Sequence, residues 1–546
     1  MLRLTEIRLP IDHDEAALRQ AILDRLGIDG SHLLKITVYR RNYDARKKSA
    51  IMFSYTVDVA TDCDDALLAK FDKHPHIKVA PDMAYHFVAK APDVPFKRPI
   101  VVGFGPCGIF AALILAQSGF KPIVIERGKK VRERTQDTFG FWRNRKLNPE
   151  SNVQFGEGGA GTFSDGKLHT QIRDPKHYGR KVLEEFVKAG APEEILYIGK
   201  PHIGTFKLVR MVERMREEII NLGGEFRFES RVDDLLVENN HVKGIVLNNG
   251  ETLRSDHILI APGHSARDTF EMLYQRGVHM EAKPFSVGFR IEHPQSLIDS
   301  CRLGTNAGNP LLGAADYKLV HHCKNGRTVY SFCMCPGGTV VAAASEPGQL
   351  VTNGMSQYSR SERNANAAIV VNVNPSDFGS TDPLAGITFQ RELEHKAFIL
   401  GGSNYNAPCQ QVGDFLKGTP SKALGSVIPS YSPGVTPCNL ESALPSFAIE
   451  ALREAIPAFE KNIPGFSMAD AVLTGTETRT SSPVRIIRDR KTFESISIKG
   501  LYPAGEGAGY AGGILSSAVD GIEAAQAIAL SIASASTDSP PHKSKP

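Results

Sequence analysis

The turn Gly103-Phe104-Gly105-Pro106-Cys107-Gly108 constrains this chain more than any other feature. It follows the short apolar run Pro99-Ile100-Val101-Val102 and opens into an apolar stretch of helical length, 109–117. In a strand-turn-helix unit, the first glycine makes the tight turn and the second lets a pyrophosphate approach the backbone. The third lets helix and strand pack closely, so that the helix N-terminus faces the phosphates. A second apolar run, Pro122-Ile123-Val124-Ile125, ends in Glu126, 21 residues beyond Gly105, with Arg127 beside it. A carboxylate at that distance accepts hydrogen bonds from ribose hydroxyls. Strand, helix, second strand and terminal acid in this order predict a dinucleotide site, with Gly103, Gly105, Pro106, Cys107, Gly108, Glu126 and Arg127 as its adenosine-side contacts.

The rest of the chain gives that unit its setting. At 546 residues it exceeds what one core usually supports. Residues 1–92 read as a small α+β unit of split β-α-β type, ferredoxin-like: an alternating segment from Leu2 to Leu9, a helical stretch 14–26, two strands flanking a charged loop, and a second helix at 64–71. The proline-rich segment from Ala91 to Pro99 reads as a linker. The fold class is α/β, with a Rossmann-type dinucleotide domain built from 97–282 and 471–535. A β-rich α+β substrate domain at 283–470 is inserted into it, and a polar tail at 536–546 is expected to be disordered.

Two further glycine-rich segments decide the cofactor by resemblance. The stretch Gly500-Leu501-Tyr502-Pro503-Ala504-Gly505-Glu506 leads through Gly512 and Gly513 into a helix starting at Ile514. It resembles the FAD-dependent oxidoreductases related to succinate dehydrogenase flavoproteins and geranylgeranyl reductases. The resemblance implies that Gly505 and Glu506 lie beside the ribityl and pyrophosphate, and that Gly512, Gly513 and Ile514 point a helix N-terminus at the pyrimidine ring. The segment 151–168, with Gly158, Gly159, Gly161 and Thr162, is similar to a loop that runs under the pyrophosphate in such proteins; Lys167 at its end is a catalytic candidate. Ala261 and Gly263 match the strand and turn that close the FAD domain, where Pro262 replaces the usual threonine, and Val232 matches a backbone contact to adenine. With Pro201–Thr205, Gly263–Asp268 and Ser331–Gly338 added, nearly the whole chain resembles a bacterial group of predicted FAD-dependent dehydrogenases without an assigned reaction.

That resemblance implies FAD and two-electron hydride transfer at flavin N5, and leaves the substrate open. Arg479 and Arg485, set among Thr and Ser around Pro483, are candidates to hold a small, anionic substrate. His169, His202 and His264 are weaker acid–base candidates. A second unit of strand, glycine turn and helix is not expected, so electrons are assigned to a transient NAD(P)H, a redox partner protein or the substrate itself. The basic run Arg40–Lys48 leaves an RNA-directed flavoenzyme as an alternative, and a non-enzymatic redox sensor is another. The formal charge of +4 makes nucleic acid an unexpected partner. Cys333-Met334-Cys335 reads as packing on one strand face, with a flavin-proximal redox pair and a metal site as its alternatives, although no nearby Cys or His pair completes a usual zinc pattern. The opening residues lack a signal-peptide core and no run of about 18 apolar residues is apparent. Together with eight sparse cysteines, this places the chain in the cytoplasm with no membrane partner.

Overall fold

The computed structural model describes residues 1–537 except His169 and Gln171. His169 and the tail from 538 onward therefore lie outside the described residues, while Ser536 belongs to the last helix.

Strands Leu2–Pro10, Leu33–Asp44, Met52–Thr61 and Ile77–Val79 form an antiparallel sheet. Numbered in chain order they lie 2-3-1-4, with helices Glu15–Leu26 and Asp64–Lys70 in the two crossings. Asp14 caps the first helix by accepting from the Ala17 N–H at 2.8 Å, and Gly27 closes it in the left-handed conformation. The first strand buries Leu2 and Leu4 and then Ile7 and Leu9, a break in strict alternation. Its register shifts between Leu4 and Ile7, with Glu6 at φ 57°. That bulge returns the later side chains to the core face.

The charged stretch after Tyr39 is not wholly a loop. The second strand runs to Asp44, and Arg41 exchanges backbone hydrogen bonds with Tyr197 and Gly199 at 2.6 and 2.9 Å. Arg46 pairs with Asp44, and Arg41 stacks on Phe53 and Tyr197. Much of this basic run is a joint between units.

The dinucleotide unit is a five-stranded parallel sheet ordered Leu501–Pro503, Ile258–Ile260, Ile100–Val102, Ile123–Ile125 and Glu225–Arg227. Apart from the edge strand Glu225–Arg227, these strands are apolar because both faces are covered. Val101, Val124, Leu259 and Tyr502 pack on one side against helices Pro106–Gln117, Thr205–Asn221 and Ile514–Thr537. Ile100, Val102, Ile258 and Ile260 pack on the other side, against the antiparallel layer Val232–Glu238, His241–Leu247 and Thr252–Arg254. The helix Ile514–Thr537 corrects one expectation, because it is long and apolar enough to cross a bilayer. Most of its apolar stretch is buried against Pro106–Gln117 and Tyr178–Lys188.

A seven-stranded sheet walls the other side of the site. Its order is Val320–His322, Thr328–Cys335, Asn364–Val373, Phe285–Pro294, Val472–Glu477, Ala407–Gln411 and Val435–Pro437. The strand Val472–Glu477 belongs to this sheet although it lies past residue 470. The chain returns at once, as Val484–Ile486 pairs with Met280–Ala282 where the two units meet.

The third glycine of the turn is a packing contact. A Cβ on Gly108 would lie 1.8 Å from the Gly103 carbonyl oxygen, whereas one on the helical Gly140 would meet nothing within 4 Å. Gly108→Ala is expected to cost about 3 kcal/mol of unfolding free energy, and Gly140→Ala to raise it by about 0.5–1 kcal/mol. Denaturant titration of both variants checks this; a neutral Gly108→Ala would remove the close packing as an explanation.

Candidate functional site

The turn at 103–108 opens onto a long cavity between the parallel sheet and the seven-stranded wall. Gly103, at φ 94°, presses on the next strand: a Cβ there would sit 2.2 Å from the Ala261 oxygen. Gly105 caps helix Pro106–Gln117 and passes close to Gly159, whose Cβ would lie 2.8 Å from the Gly105 Cα. Two glycine-rich segments far apart in sequence thus meet backbone to backbone, and the helix N-terminus is left facing the cavity.

Glu126 holds this floor together. Its Oε2 accepts from the Phe104 N–H at 2.9 Å, and its Oε1 accepts from Gly128 and Gly156 at 2.9 and 3.0 Å. The carboxylate is buried and lines the cavity. Three of its roughly four acceptor positions are filled, which leaves one on Oε2 for a ribose hydroxyl. Arg127 is fixed by Asp268, in a paired contact of 2.9 Å each, and by Glu150, and stacks on Phe155. Arg134 carried no signal in the sequence. It is fully buried and donates to the carbonyls of Asn152, Val153 and Glu157 at 2.7–2.8 Å, which shapes the loop beneath the cavity.

Of the expected contacts, the cavity is lined by Gly103, Gly105, Pro106, Cys107, Glu126, Arg127, Gly159, Gly161, Lys167, Val232, Ala261, Gly263, Arg479, Gly505, Glu506, Gly513 and Ile514. Gly108, Gly158, Thr162 and Gly512 stand behind the lining. Gly158 packs on Thr162, and the Gly512 N–H donates to Ser516 Oγ at 3.1 Å at the start of the last helix. Arg485 is a correction. Val484 and Ile486 are both buried, so strand alternation turns Arg485 outward, where with Arg488, Arg490 and Tyr510 it lines a separate surface pocket.

Arg479 does reach the cavity, but through a network that sequence reading missed. Its Nε and Nη2 donate to Glu394 at 3.0 and 2.9 Å and its Nη1 to Ser345 at 2.6 Å, while Arg267 bonds the same Glu394 at 2.7 and 3.0 Å and also pairs with Glu346. Burial pushes the Glu394 carboxyl up, but the two guanidiniums overcome it and hold it at about 2. Burial, and then Arg479 and Arg267, push the His264 imidazole down to about 3, so it faces the cavity as a neutral group. His202 is likewise pushed down to about 4 by burial and bonds the Tyr358 carbonyl at 3.1 Å outside the lining. Lys167 donates to the Met334 carbonyl and lies 3.9 Å from Asp165. Arg290, also missed, makes a paired bond to Glu477 at 2.7 and 3.1 Å.

Comparison with known proteins fits this geometry. A family model described as FAD-dependent protein, C-terminal domain-like, matches residues 284–480, and one for a domain of unknown function matches residues 1–60. An uncharacterized protein of Clostridium beijerinckii is 48% identical over 534 residues, spanning 96% of this chain and 98% of its own. The chain belongs to this family of FAD-dependent proteins. FAD is its cofactor. The flavoprotein is similar in structure to a glycerol-3-phosphate dehydrogenase of Bacillus halodurans solved with FAD. That match is 12% identical, covers 82% of this chain and 66% of the other, and has a TM-score of 0.35. A 3-ketosteroid-delta4-(5alpha)-dehydrogenase of Rhodococcus jostii gives 13%, 82%, 98% and 0.35. Scores this low bear on neither fold nor reaction. The residues present fit FAD: open glycine edges at Gly263 and Gly513, where a Cβ would meet nothing within 4 Å, leave room for a cofactor against the backbone.

Glu506 is half-buried beside the last helix, and burial raises its carboxyl from 4.5 to about 7 against the pull of Lys283 and the Gly513 N–H. An unfolded chain ionises this group from about pH 4.5 upward while the cofactor-free fold keeps it neutral to about pH 7, so its contribution to stability is lost as pH rises through that window. The full effect is about 3 kcal/mol. Glu506→Gln is therefore expected to stabilise the cofactor-free protein at pH 8 and to leave it unchanged at pH 4. Equal gains at both pH values, measured by denaturant titration, would refute the raised carboxyl.

Proposed function

We propose that this flavoprotein is a two-electron oxidoreductase acting on a small, carboxylate-bearing substrate at the seven-stranded wall of the cavity. The carrying observation is the extent of that cavity. It runs from Gly103 and Glu126, which suit the ADP half, to Lys167, Phe332, Asn353 and Arg479, which lie beyond the glycine turn and belong to other elements. When bound, FAD supplies hydride transfer at N5. The amides at Gly513 and Ile514, at a helix N-terminus that lines the cavity, would favour negative charge on a reduced ring held there. Arg479, locked by Glu394 and Ser345, and Lys167, held by the Met334 carbonyl, present fixed cations that orient a carboxylate. The neutral His264 is an uncharged hydrogen-bonding group next to them.

Among the described residues the parallel sheet built on the 103–108 turn is the one such sheet. That supports a transient nicotinamide or a partner protein, rather than a dedicated second domain, as the electron source. The substrate cations and the ADP grip separate experimentally. Gly105→Val places branches where the pyrophosphate approaches, and should release FAD. Lys167→Ala should keep FAD yet weaken binding of small anions at the flavin, and slow flavin reduction by the substrate, by about 10–100-fold. Arg485→Ala should change neither. Anaerobic stopped-flow with a panel of carboxylate metabolites checks this. Wild-type anion affinity in Lys167→Ala would reject the carboxylate reading, and absence of multiple turnover on the panel would favour a redox sensor.

A further inference from the structure

The wall of the cavity contains a pair of thiols that the packing reading of Cys333-Met334-Cys335 does not explain. Strand Thr328–Cys335 pairs Phe332 with Ala368 and Cys335 with Asn366, so Cys333 and Met334 together face the single residue Ala367. Cys333 sits on this bulge at φ 44°, a left-handed conformation that costs a non-glycine residue about 1–3 kcal/mol. The bulge sends Met334 into the apolar core and leaves Cys333 lining the cavity, partly exposed to it. Cys335 is fully buried, and its thiol turns back to donate to the Cys333 carbonyl at 3.3 Å.

The strained segment is clamped by cations. Arg290 donates to the Cys333 carbonyl at 2.9 Å and Lys167 to the Met334 carbonyl. Charged groups facing Cys333 are Lys167 and Arg290 on one side and Asp165, Glu477 and Glu506 on the other. The Cys335 thiol, and then Lys167 and Arg290 against burial, hold the Cys333 thiol below its usual range, while Cys333 pushes Cys335 up. A thiol that only fills space needs no bulge, no left-handed backbone and no paired cations. Bulges and strained residues of this kind gather where a side chain is aimed at chemistry.

We propose that Cys333 and Cys335 are a redox dithiol pair that exchanges two electrons with the flavin. In the oxidising direction the two S–H bonds break and one S–S bond forms. The sulfurs release two electrons and two protons, and the oxidised flavin takes up the electrons with protons delivered to its ring nitrogens. In reverse, the reduced flavin returns both electrons and the S–S bond opens to two thiols. One residue between the cysteines makes the closed ring small and strained, so the disulfide is the readily reduced partner and the favoured flow is from flavin to sulfur. Cys333 is the sulfur placed for exchange, because it faces the cavity while Cys335 is enclosed.

The inference rests on the flavin ring lying at this end of the cavity, and FAD content is measured alongside to keep the two apart. Air-oxidised full-length protein is titrated anaerobically with dithionite. Wild type should take up a second pair of electrons beyond the pair the flavin consumes, and the peptide 328–338 should regain two hydrogens by mass spectrometry. Cys333→Ser and Cys335→Ser should each abolish that second pair. In the reduced-thiol, oxidised-flavin state a long-wavelength charge-transfer absorption should appear in wild type, persist in Cys335→Ser, whose hydroxyl still donates, and vanish in Cys333→Ser. Wild type with full FAD that accepts only the flavin's pair and shows no such band overturns the proposal. Loss of FAD from wild type would instead overturn the cavity assignment on which it stands.

Discussion

A single buried carboxylate gives the cofactor site its floor. Glu126 draws in the N–H groups of Phe104, Gly128 and Gly156, which belong to the glycine turn, the end of the second strand and the 151–163 loop. Hydrogen bonds to an ionised group contribute about 1.5–3 kcal/mol each, and a buried carboxylate is tolerated only when it is satisfied in this way. The glycines permit the close approach of Gly105 to Gly159, but they supply no attraction of their own. Glu126 supplies it, and the same residue still presents a free acceptor to the ribose. Holding the loops and presenting an acceptor to the cavity are therefore combined in one side chain.

The opposite wall is held by a second buried charge cluster. Glu394 on helix Ala385–Leu400 is shared by Arg267, at the start of helix Arg267–Gln275, and by Arg479, just past strand Val472–Glu477. Such clusters add little net stability over apolar packing, yet removal of one member leaves an unpaired buried charge. Their value here is positional. They fix one guanidinium against the cavity with its rotamer set by three bonds. In the proposed function, a cation held this way would pay no ordering entropy when substrate arrives.

What was legible in the sequence was local. The turn at 103–108, the acid at 126 and the helix from 514 each announce themselves within a few residues, because strand, turn and helix signals are short-range. Residues whose role depends on convergence were silent: Glu394 lies mid-helix, Arg290 mid-strand, and Arg134 on a helix whose exposed face is strongly polar. Arg485 was misread because Pro483 and the surrounding Thr and Ser looked like a single substrate loop, whereas Val484 and Ile486 make a short buried-edge strand that turns it away. Cys333 departs from the alternation expected along Thr328–Cys335, because a bulge has no reliable signature in one sequence.

The cavity is also set up electrostatically. Burial raises the Glu506 carboxyl to about 7, and Lys283 is pushed down by burial beside it. The N-termini of two helices, Pro106–Gln117 and Ile514–Thr537, both open on the cavity and favour negative charge there. A pyrophosphate at the first helix and the electron-rich edge of a flavin ring at the second would satisfy those dipoles. A ligand that binds only the folded chain stabilises it in proportion to the logarithm of its concentration over its dissociation constant. Binding of FAD is in this way coupled to the stability of the fold, and the two helix N-termini that open on the cavity are the physical origin of that coupling.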